Sequence, residues 1–418
     1  MRQKLLSFLI LSITAIVTST VIVSFLKLCQ LAVDYFRSIV DDIWWIPLFW
    51  TPILTMIIVF ITIKYVPGIA GSGNQQVKAS LETENKSVFV SLKIAIYKYF
   101  LTAAGFFAGL SIGREGPTVQ IAASMMHSVR DYIPKKLNIT PNFLIGVGGA
   151  IGIAVAFKAI IAGTVFALEE TAKTFRRNNR VLFFTLITLG ITTCYILEGI
   201  DPFYAKVEID SISYEYWVPI LLTAISSSVL GGLFAKSLLF SMPNKTSKLG
   251  RFKSNHPIKL AGILGLVIAI IGILSNGITY SDGYLYTRDL VLNTGEFSYL
   301  FVPLKFIATW FTAWSGVPAG MFSPLLSIGG GVGQSVYEFF MLENNHILLL
   351  VGMTGFLSAV IRAPLTAGFL AIEVMGVYSM IPLALLVSLL SDKISEKISP
   401  PLWITQKDIL LNNISATK

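Results

Sequence analysis

The chain has 418 residues, of which 54% are hydrophobic and only 13% are charged. A soluble domain of this length could not bury so much apolar surface, so the composition excludes a soluble globular protein. The formal net charge is +9. We predict an all-α polytopic membrane protein whose basic loops account for that charge, without a nucleic-acid partner.

Seven charge-free runs are long enough to cross a hydrocarbon core of about 30 Å. They cover residues 5–26, 43–63, 137–157, 181–197, 216–235, 260–281 and 374–391. The first run follows Met1-Arg2-Gln3-Lys4 directly, is too long for the apolar part of a signal peptide and lacks a small-residue cleavage site. We therefore interpret it as a retained helix.

The loops between these runs alternate in charge. The basic ones contain Lys173, Arg176, Arg177 and Arg180, and then Lys245, Lys248, Arg251, Lys253 and Lys259, while acidic residues concentrate in 198–215 and 282–296. Successive crossings produce such an alternation, and the positive-inside bias predicts that the basic loops are cytoplasmic.

The cysteines and histidines do not form a recognisable site. Cys29 and Cys194 lie in apolar surroundings without the spacing of metal ligands, so we predict buried thiols rather than a disulfide. The three histidines are scattered along the chain, which argues against a histidine-based metal or catalytic centre. We expect no metal and no cofactor.

The chain consists of two related halves. Gly113-Arg114-Glu115-Gly116-Pro117 and Gly320-Met321-Phe322-Ser323-Pro324 lie 207 residues apart, and Lys98 and Lys305 precede them at the same distance. Residues 147–169 and 351–373 also match at a spacing of 204. We predict one membrane domain over 1–418, with a first repeat at about 30–200, a second at about 215–391 and a C-terminal helix at about 401–415. Such repeats are typical of secondary transporters.

Three glycine-rich segments interrupt the apolar stretches, at 71–73, 113–117 and 320–324. Non-helical backbone at membrane depth is tolerated only where protein buries it or where it lines a watery cavity. A helix that begins after such a break presents free N–H groups and the positive end of its dipole, which together bind anions. Each break alone could be a turn made for packing, but three together favour an anion pathway.

These motifs resemble those of the CLC family of chloride channels and chloride/proton exchangers. G-R-E-G-P-T-V-Q at 113–120 is the most specific match, G-M-F-S-P is similar to the family's G-x-F-x-P, and 71–73 resembles the start of its G-S-G-I-P. The resemblance covers essentially the whole membrane domain, and only 15 residues follow Trp403, so we expect the prokaryotic type without a regulatory module.

The resemblance implies 17 or 18 helices in two inverted repeats with broken and re-entrant helices. It also implies a homodimer in which each subunit has its own pore. Chloride would be bound by backbone amides near Met321 and Phe322, by the helix start at Arg114 and Gly116, by the Ser72 hydroxyl and by an aromatic donor, Trp403. Ser72 argues for chloride over nitrate, since nitrate-preferring relatives have proline there.

Glu115 is the predicted gate. A carboxylate among amide donors is itself an anion, so ionised Glu115 competes with chloride for a site, and the protonated form must leave it. This competition links anion movement to proton movement. The alternative is a capping glutamate paired with Arg114.

Glu170 is the predicted cytoplasmic proton acceptor. Phe166-Ala167-Leu168-Glu169-Glu170 resembles the proton-uptake segment of the family's exchangers, whereas channels usually have an apolar residue at the second acidic position. The alternative is a solvated glutamate neutralised by Lys173 or Arg176. Glu169 matches Glu373 in the second half, which suggests an architectural role for both.

Three departures from the family pattern carry expectations of their own. Asn74-Gln75 replaces Ile-Pro, and we expect a different turn after Ser72. Trp403 replaces tyrosine and is bulkier. Lys158 replaces asparagine and adds a positive charge near what we predict to be a cytoplasmic helix start. For Lys98 and Lys305, snorkelling toward an interface is the alternative to a role in the pathway.

The sequence thus predicts a chloride/proton antiporter in a plasma or bacterial inner membrane. The first alternative is a passive or weakly coupled chloride channel. A membrane-embedded enzyme with Glu115 as general acid is a further alternative, but the chain lacks a plausible nucleophile, metal cluster or cofactor motif, so we expect that it is not an enzyme.

Overall fold

The computed structural model describes residues 2–171, 179–209, 212–242 and 248–415. Lys173, Arg176, Arg177 and Lys245 of the predicted basic loops lie outside these residues. The described part contains 18 α-helices. They are α1 (Arg2–Asp42), α2 (Pro47–Tyr65), α3 (Asn74–Glu82), α4 (Leu92–Phe107), α5 (Glu115–Ser128), α6 (Pro141–Phe157), α7 (Ile160–Thr171), α8 (Arg180–Glu198), α9 (Trp217–Phe240), α10 (Lys248–Asn255), α11 (Pro257–Leu274), α12 (Tyr284–Val291), α13 (Phe301–Ser315), α14 (Phe322–Phe340), α15 (His346–Ile361), α16 (Pro364–Met375), α17 (Ile381–Glu396) and α18 (Leu402–Ser415).

Most of the predicted membrane runs correspond to helices. Six of the seven runs coincide largely with α1, α2, α6, α8, α9 and α11. The seventh, 374–391, corresponds mainly to the candidate span Tyr378–Glu396, but it starts too early, because Gly376 with φ +68° ends α16 before that span begins. A span at Lys86–Phe107, which includes α4, is also long and apolar enough to cross a membrane. The charge-free criterion missed it because it contains lysines.

Two glutamates show how the halves are related. Glu169, near the end of α7, accepts backbone hydrogen bonds of 2.9 and 2.7 Å from the first turn of α16. Glu373, near the end of α16, accepts bonds of 3.1 and 2.7 Å from the first turn of α7. The end of each helix therefore meets the start of the other, so the two helices are antiparallel and the repeats are inverted. Each carboxylate caps a helix, which agrees with the predicted architectural role.

The two buried lysines also have matching positions. Lys98 Nζ donates to two carbonyl oxygens of the segment 69–71, at 2.9 and 2.5 Å, and Lys305 Nζ donates to two of the segment 279–281, at 3.0 and 2.7 Å. Both side chains are fully buried, so the snorkelling interpretation is wrong for both. Each ammonium instead fixes the loop that precedes a short helix, α3 in one half and α12 in the other.

The two motifs meet at the centre of the molecule. Gly113 and Gly320 form an antiparallel bridge, with N–H···O distances of 2.7 and 2.9 Å. A Cβ atom on Gly320 would lie 2.5 Å from the Gly113 carbonyl oxygen, so only glycine allows this approach. The bridge brings the start of α5 next to the start of α14.

The two cysteines, Cys29 and Cys194, are buried and free, as predicted.

Candidate functional site

Glu115 is the first residue of α5, and its carboxylate lies at the start of α14. One oxygen accepts the backbone N–H of Ser323 at 3.3 Å, and the other accepts the Ser323 hydroxyl. The side chain is fully buried. A negative charge at a helix N-terminus is stabilised by free N–H groups and by the helix dipole. The alternative in which Arg114 is the partner of Glu115 does not describe this geometry, because the ion pair of Arg114 is with Asp282.

The start of α14 also offers free donors. Within the described residues, the backbone N–H groups of Met321 and Phe322 have no hydrogen-bond acceptor. Both residues are buried, at 5% and 0% exposure. A buried N–H group without an acceptor is costly, so a pair of them beside the Glu115 carboxylate is suited to bind an anion.

Ser72 packs against the start of α5. A Cβ atom on Gly116 would lie 2.4 Å from the Ser72 hydroxyl oxygen, so the absence of a side chain at Gly116 makes room for Ser72. The Asn74 side-chain amide donates to the same hydroxyl oxygen at 3.1 Å. Since that oxygen accepts from Asn74, its own hydrogen is free to donate elsewhere. The Asn74-Gln75 departure therefore leaves Ser72 beside Gly116 and adds a partner that orients it.

Trp403 packs against Phe322. Their ring centroids are 5.5 Å apart, and Phe166 of α7 is 6.3 Å from the indole. Trp403 is only 1% exposed, and its indole nitrogen has no hydrogen-bond partner among residues that the structure describes. The Trp403 ring therefore packs against Phe322 with its N–H still available as a donor.

Glu170 is not a solvated surface residue. Its side chain is 8% exposed and forms an ion pair with Lys78 of α3, whose side chain is 15% exposed. The Lys78 ammonium also lies 5.7 Å from the centroid of the Trp403 ring. One ammonium therefore contacts both the predicted proton acceptor and the predicted aromatic donor. Sequence reasoning missed Lys78, because nothing in the sequence distinguishes a lysine on a short polar helix from an ordinary surface residue.

Arg114 contacts residues outside the Ser72 and Phe322 cluster. Its guanidinium lies between the rings of Phe203 and Tyr284, at 5.7 and 5.6 Å, and Nε is 3.5 Å from an Asp282 carboxylate oxygen. It also lines a cavity of about 360 Å³. Of the residues predicted to bind chloride, Ser72, Gly116, Met321, Phe322 and Trp403 lie around one region with Glu115, whereas the Arg114 side chain belongs to this separate cavity.

A family model described as voltage gated chloride channel matches residues 54–396. The chain belongs to this family, the CLC family. Its members are channels or transporters, so the chain is a multi-pass membrane protein.

Three solved CLC structures resemble this chain over nearly its full length. A CLC-type fluoride/proton antiporter is 22% identical with a TM-score of 0.79, and the match covers 94% of this chain and 96% of the other. A slow cyanobacterial Cl⁻/H⁺ antiporter is 22% identical with a TM-score of 0.80, and the match covers 96% of this chain and 97% of the other. A eukaryotic CLC transporter is 19% identical with a TM-score of 0.76, and the match covers 97% of this chain and 74% of the other. At these identities the likeness establishes the CLC fold.

Lys158, one of the residues that depart from the CLC pattern, has a different location from the one predicted. Lys158 follows α6 with φ +54°, and its ammonium donates to the carbonyl oxygen of Glu198 at 2.9 Å. Glu198 ends α8, whereas Arg180 of the basic loop begins it. Lys158 is therefore at the membrane side opposite the basic loop, and its placement near a cytoplasmic helix start is wrong. The twelve-residue helix α7 carries the chain between these two sides.

Proposed function

We propose that this CLC protein is a secondary active antiporter that exchanges chloride for protons, with Glu115 as the gate. The observation that carries the proposal is the Glu115 carboxylate at the start of α14, bonded to Ser323. In that position it occupies the place that an anion would take. Protonation removes the charge that holds the carboxylate there, so an anion can bind at the start of α14 when Glu115 is protonated.

We further propose that protons reach Glu115 from Glu170. Glu170 is shielded from water and close to the anion route, since Lys78 contacts both Glu170 and the Trp403 ring. A buried carboxylate without a counter-charge is costly, so Lys78 stabilises the ionised form to which Glu170 must return after each transfer. A channel has no need for this arrangement, which supports exchange over the alternative of a passive or weakly coupled channel.

Chloride is the proposed substrate, with fluoride as the competing halide. The proposed site combines a few N–H and O–H donors with the aromatic rings of Phe322, Phe166 and Trp403. Fluoride is smaller and more strongly hydrated than chloride, so it loses more hydration energy in surroundings with so few polar groups. The same site therefore favours the larger halide.

We also propose a homodimer in a plasma or bacterial inner membrane, with one pathway in each subunit. Glu115, Ser72, Phe322, Trp403 and Glu170 all come from one chain and are linked by contacts within it. A second copy is not needed to complete the site.

The test is purified protein in liposomes under a chloride gradient, with internal pH and chloride recorded together. An antiporter moves protons uphill as chloride runs down its gradient, whereas a passive channel moves chloride alone. Replacing chloride by fluoride in the same assay distinguishes the two halides. Proton movement driven by fluoride but not by chloride would contradict the proposed substrate.

Replacement of Ser72 should change anion selectivity. Ser72→Pro removes the hydroxyl donor beside Gly116, and a lost hydrogen bond to a charged group costs about 1–3 kcal/mol. We expect the preference for chloride over nitrate to fall by roughly five- to 150-fold. The measurement is the ratio of chloride to nitrate flux. An unchanged ratio would mean that Ser72 is outside the anion path.

Removal of the Lys78 charge should impair proton transport more than anion transport. In Lys78→Met, Glu170 loses its counter-charge and is held in its neutral form, so we expect the proton-to-chloride flux ratio to fall by about tenfold. Lys78→Arg should restore most of it. The matched control is Lys407→Met, since Lys407 bonds to Glu82 and also joins α18 to α3. A similar fall in this control would indicate lost helix packing instead.

A further inference from the structure

The two halves of the protein place different side chains at equivalent positions. Lys98 fixes the loop 69–71, and Lys305 fixes the loop 279–281 in the same way. After each loop comes one residue, then a glycine with positive φ, and then a short helix: Ser72 and Gly73 before α3, Asp282 and Gly283 before α12. Asp282 is therefore the second-half counterpart of the proposed chloride ligand Ser72.

A carboxylate at this position would repel an anion. The Asp282 carboxylate instead forms an ion pair with a guanidinium group. Asp282 is 5% exposed and lies 3.5 Å from Nε of Arg114, the residue before Glu115. One Asp282 oxygen also accepts the backbone N–H of Tyr284 at 3.0 Å, which fixes the carboxylate. The guanidinium is fixed independently, between the rings of Phe203 and Tyr284.

Arg114 directly precedes the proposed gate, Glu115, in the chain, and its side chain lines a cavity. The cavity, of about 360 Å³, is also lined by Lys158 and Arg288 and, among acidic residues, by Glu198 and Asp201. A positively charged cavity concentrates anions, and the effect depends on how much of its charge is compensated nearby. Since the aromatic rings hold Arg114 in place, the contribution of Asp282 is to the charge of this surface more than to its shape.

We propose that Asp282 sets the apparent affinity for the anion on the cavity side by neutralising Arg114. Asp282 is a charge-compensating residue that acts through Arg114 and does not touch the anion. The proposal rests on anion transport by this protein and is independent of proton coupling. It makes the two sides of the pathway unequal, because the equivalent residue on the other side, Ser72, has no charge.

The experiment measures chloride currents in patches from cells that express the full chain, with chloride varied on each side in turn. Asp282→Asn keeps the oxygen that accepts from Tyr284 but removes the charge. We expect the chloride concentration for half-maximal current to fall by about three- to tenfold on one side only, with little change in maximal current. Asp282→Ser, which introduces the first half's own residue, should give the same shift. Asp131→Asn, which removes an exposed carboxylate that does not line this cavity, is the matched control and should leave both half-maximal concentrations unchanged.

A double-mutant cycle decides whether Asp282 acts through Arg114. Arg114→Gln should weaken the apparent affinity on the same side, and Asp282→Asn should then add nothing further. The proposal is overturned by an unchanged half-maximal concentration, by an equal shift on both sides, or by a full Asp282→Asn effect in the Arg114→Gln background. Chloride current without proton coupling would contradict the antiporter proposal yet leave this test intact, whereas absence of any anion current would overturn both.

Discussion

Glu115→Gln should transport chloride without transporting protons. Glutamine has nearly the shape of the protonated glutamate but does not titrate, so it leaves the start of α14 open to an anion and carries no proton. We expect uphill proton movement to disappear, a loss of at least about a hundredfold in the proton-to-chloride ratio, because general acid–base groups typically contribute factors of that size. Chloride flux should persist and become independent of pH. The measurement is simultaneous recording of both ions in liposomes.

Two further variants test this interpretation. Glu115→Ala removes the side chain altogether and should behave as Glu115→Gln does, since either change empties the position bonded to Ser323. Asp131→Asn alters an exposed carboxylate just beyond the other end of α5 and should leave both fluxes unchanged. Proton pumping by Glu115→Gln would mean that another group gates the pathway.

The sequence predicted those parts of the site that depend on short motifs. Glu115, Ser72, Met321 and Phe322 lie within the glycine-rich breaks, and a break of this kind determines where a helix starts and which N–H groups it exposes. The bridge between Gly113 and Gly320 was not predicted, although its two glycines belong to these motifs. The gating role of Glu115 was argued from its chemistry, whereas the chloride-binding roles of Ser72, Met321 and Phe322 came from the resemblance to the CLC family.

What the sequence missed depends on contacts between distant segments. The Lys78–Glu170 pair joins α3 to α7, and the Arg114–Asp282 pair joins the two halves. A lysine on a short polar helix and an aspartate in a loop have the pattern of ordinary surface residues, and only tertiary packing buries them. No spacing rule connects residues so far apart in the chain.

The misplacement of Lys158 has a different physical cause. With 1.5 Å of rise per residue, the twelve residues of α7 extend only about 18 Å, too short to count as a crossing by length. Without that helix, the residues after α6 fall on the same side as the basic loop. In the CLC fold short helices meet inside the membrane, so counting long apolar runs assigns the wrong side to the residues between them.

Glu170→Ala should abolish proton transport while chloride flux remains substantial. Glu170 lies beside the anion route, in contact with Lys78, and in the proposed mechanism it transfers protons only, so its loss interrupts one ion. We expect a fall in the proton-to-chloride ratio of at least about a hundredfold. The ratio is again measured in liposomes under a chloride gradient.

Glu169→Gln is the control that separates a proton relay from a structural role. Glu169 is the adjacent carboxylate, and it accepts two backbone hydrogen bonds at the start of α16. The amide keeps one oxygen acceptor but loses the charge that favours a helix N-terminus, so we expect the free energy of unfolding to fall by about 1 kcal/mol. The flux ratio should stay at its wild-type value. A wild-type ratio in Glu170→Ala would remove Glu170 from the proton route. Equal loss of both fluxes would instead indicate a folding defect caused by loss of the Glu170–Lys78 pair between α7 and α3.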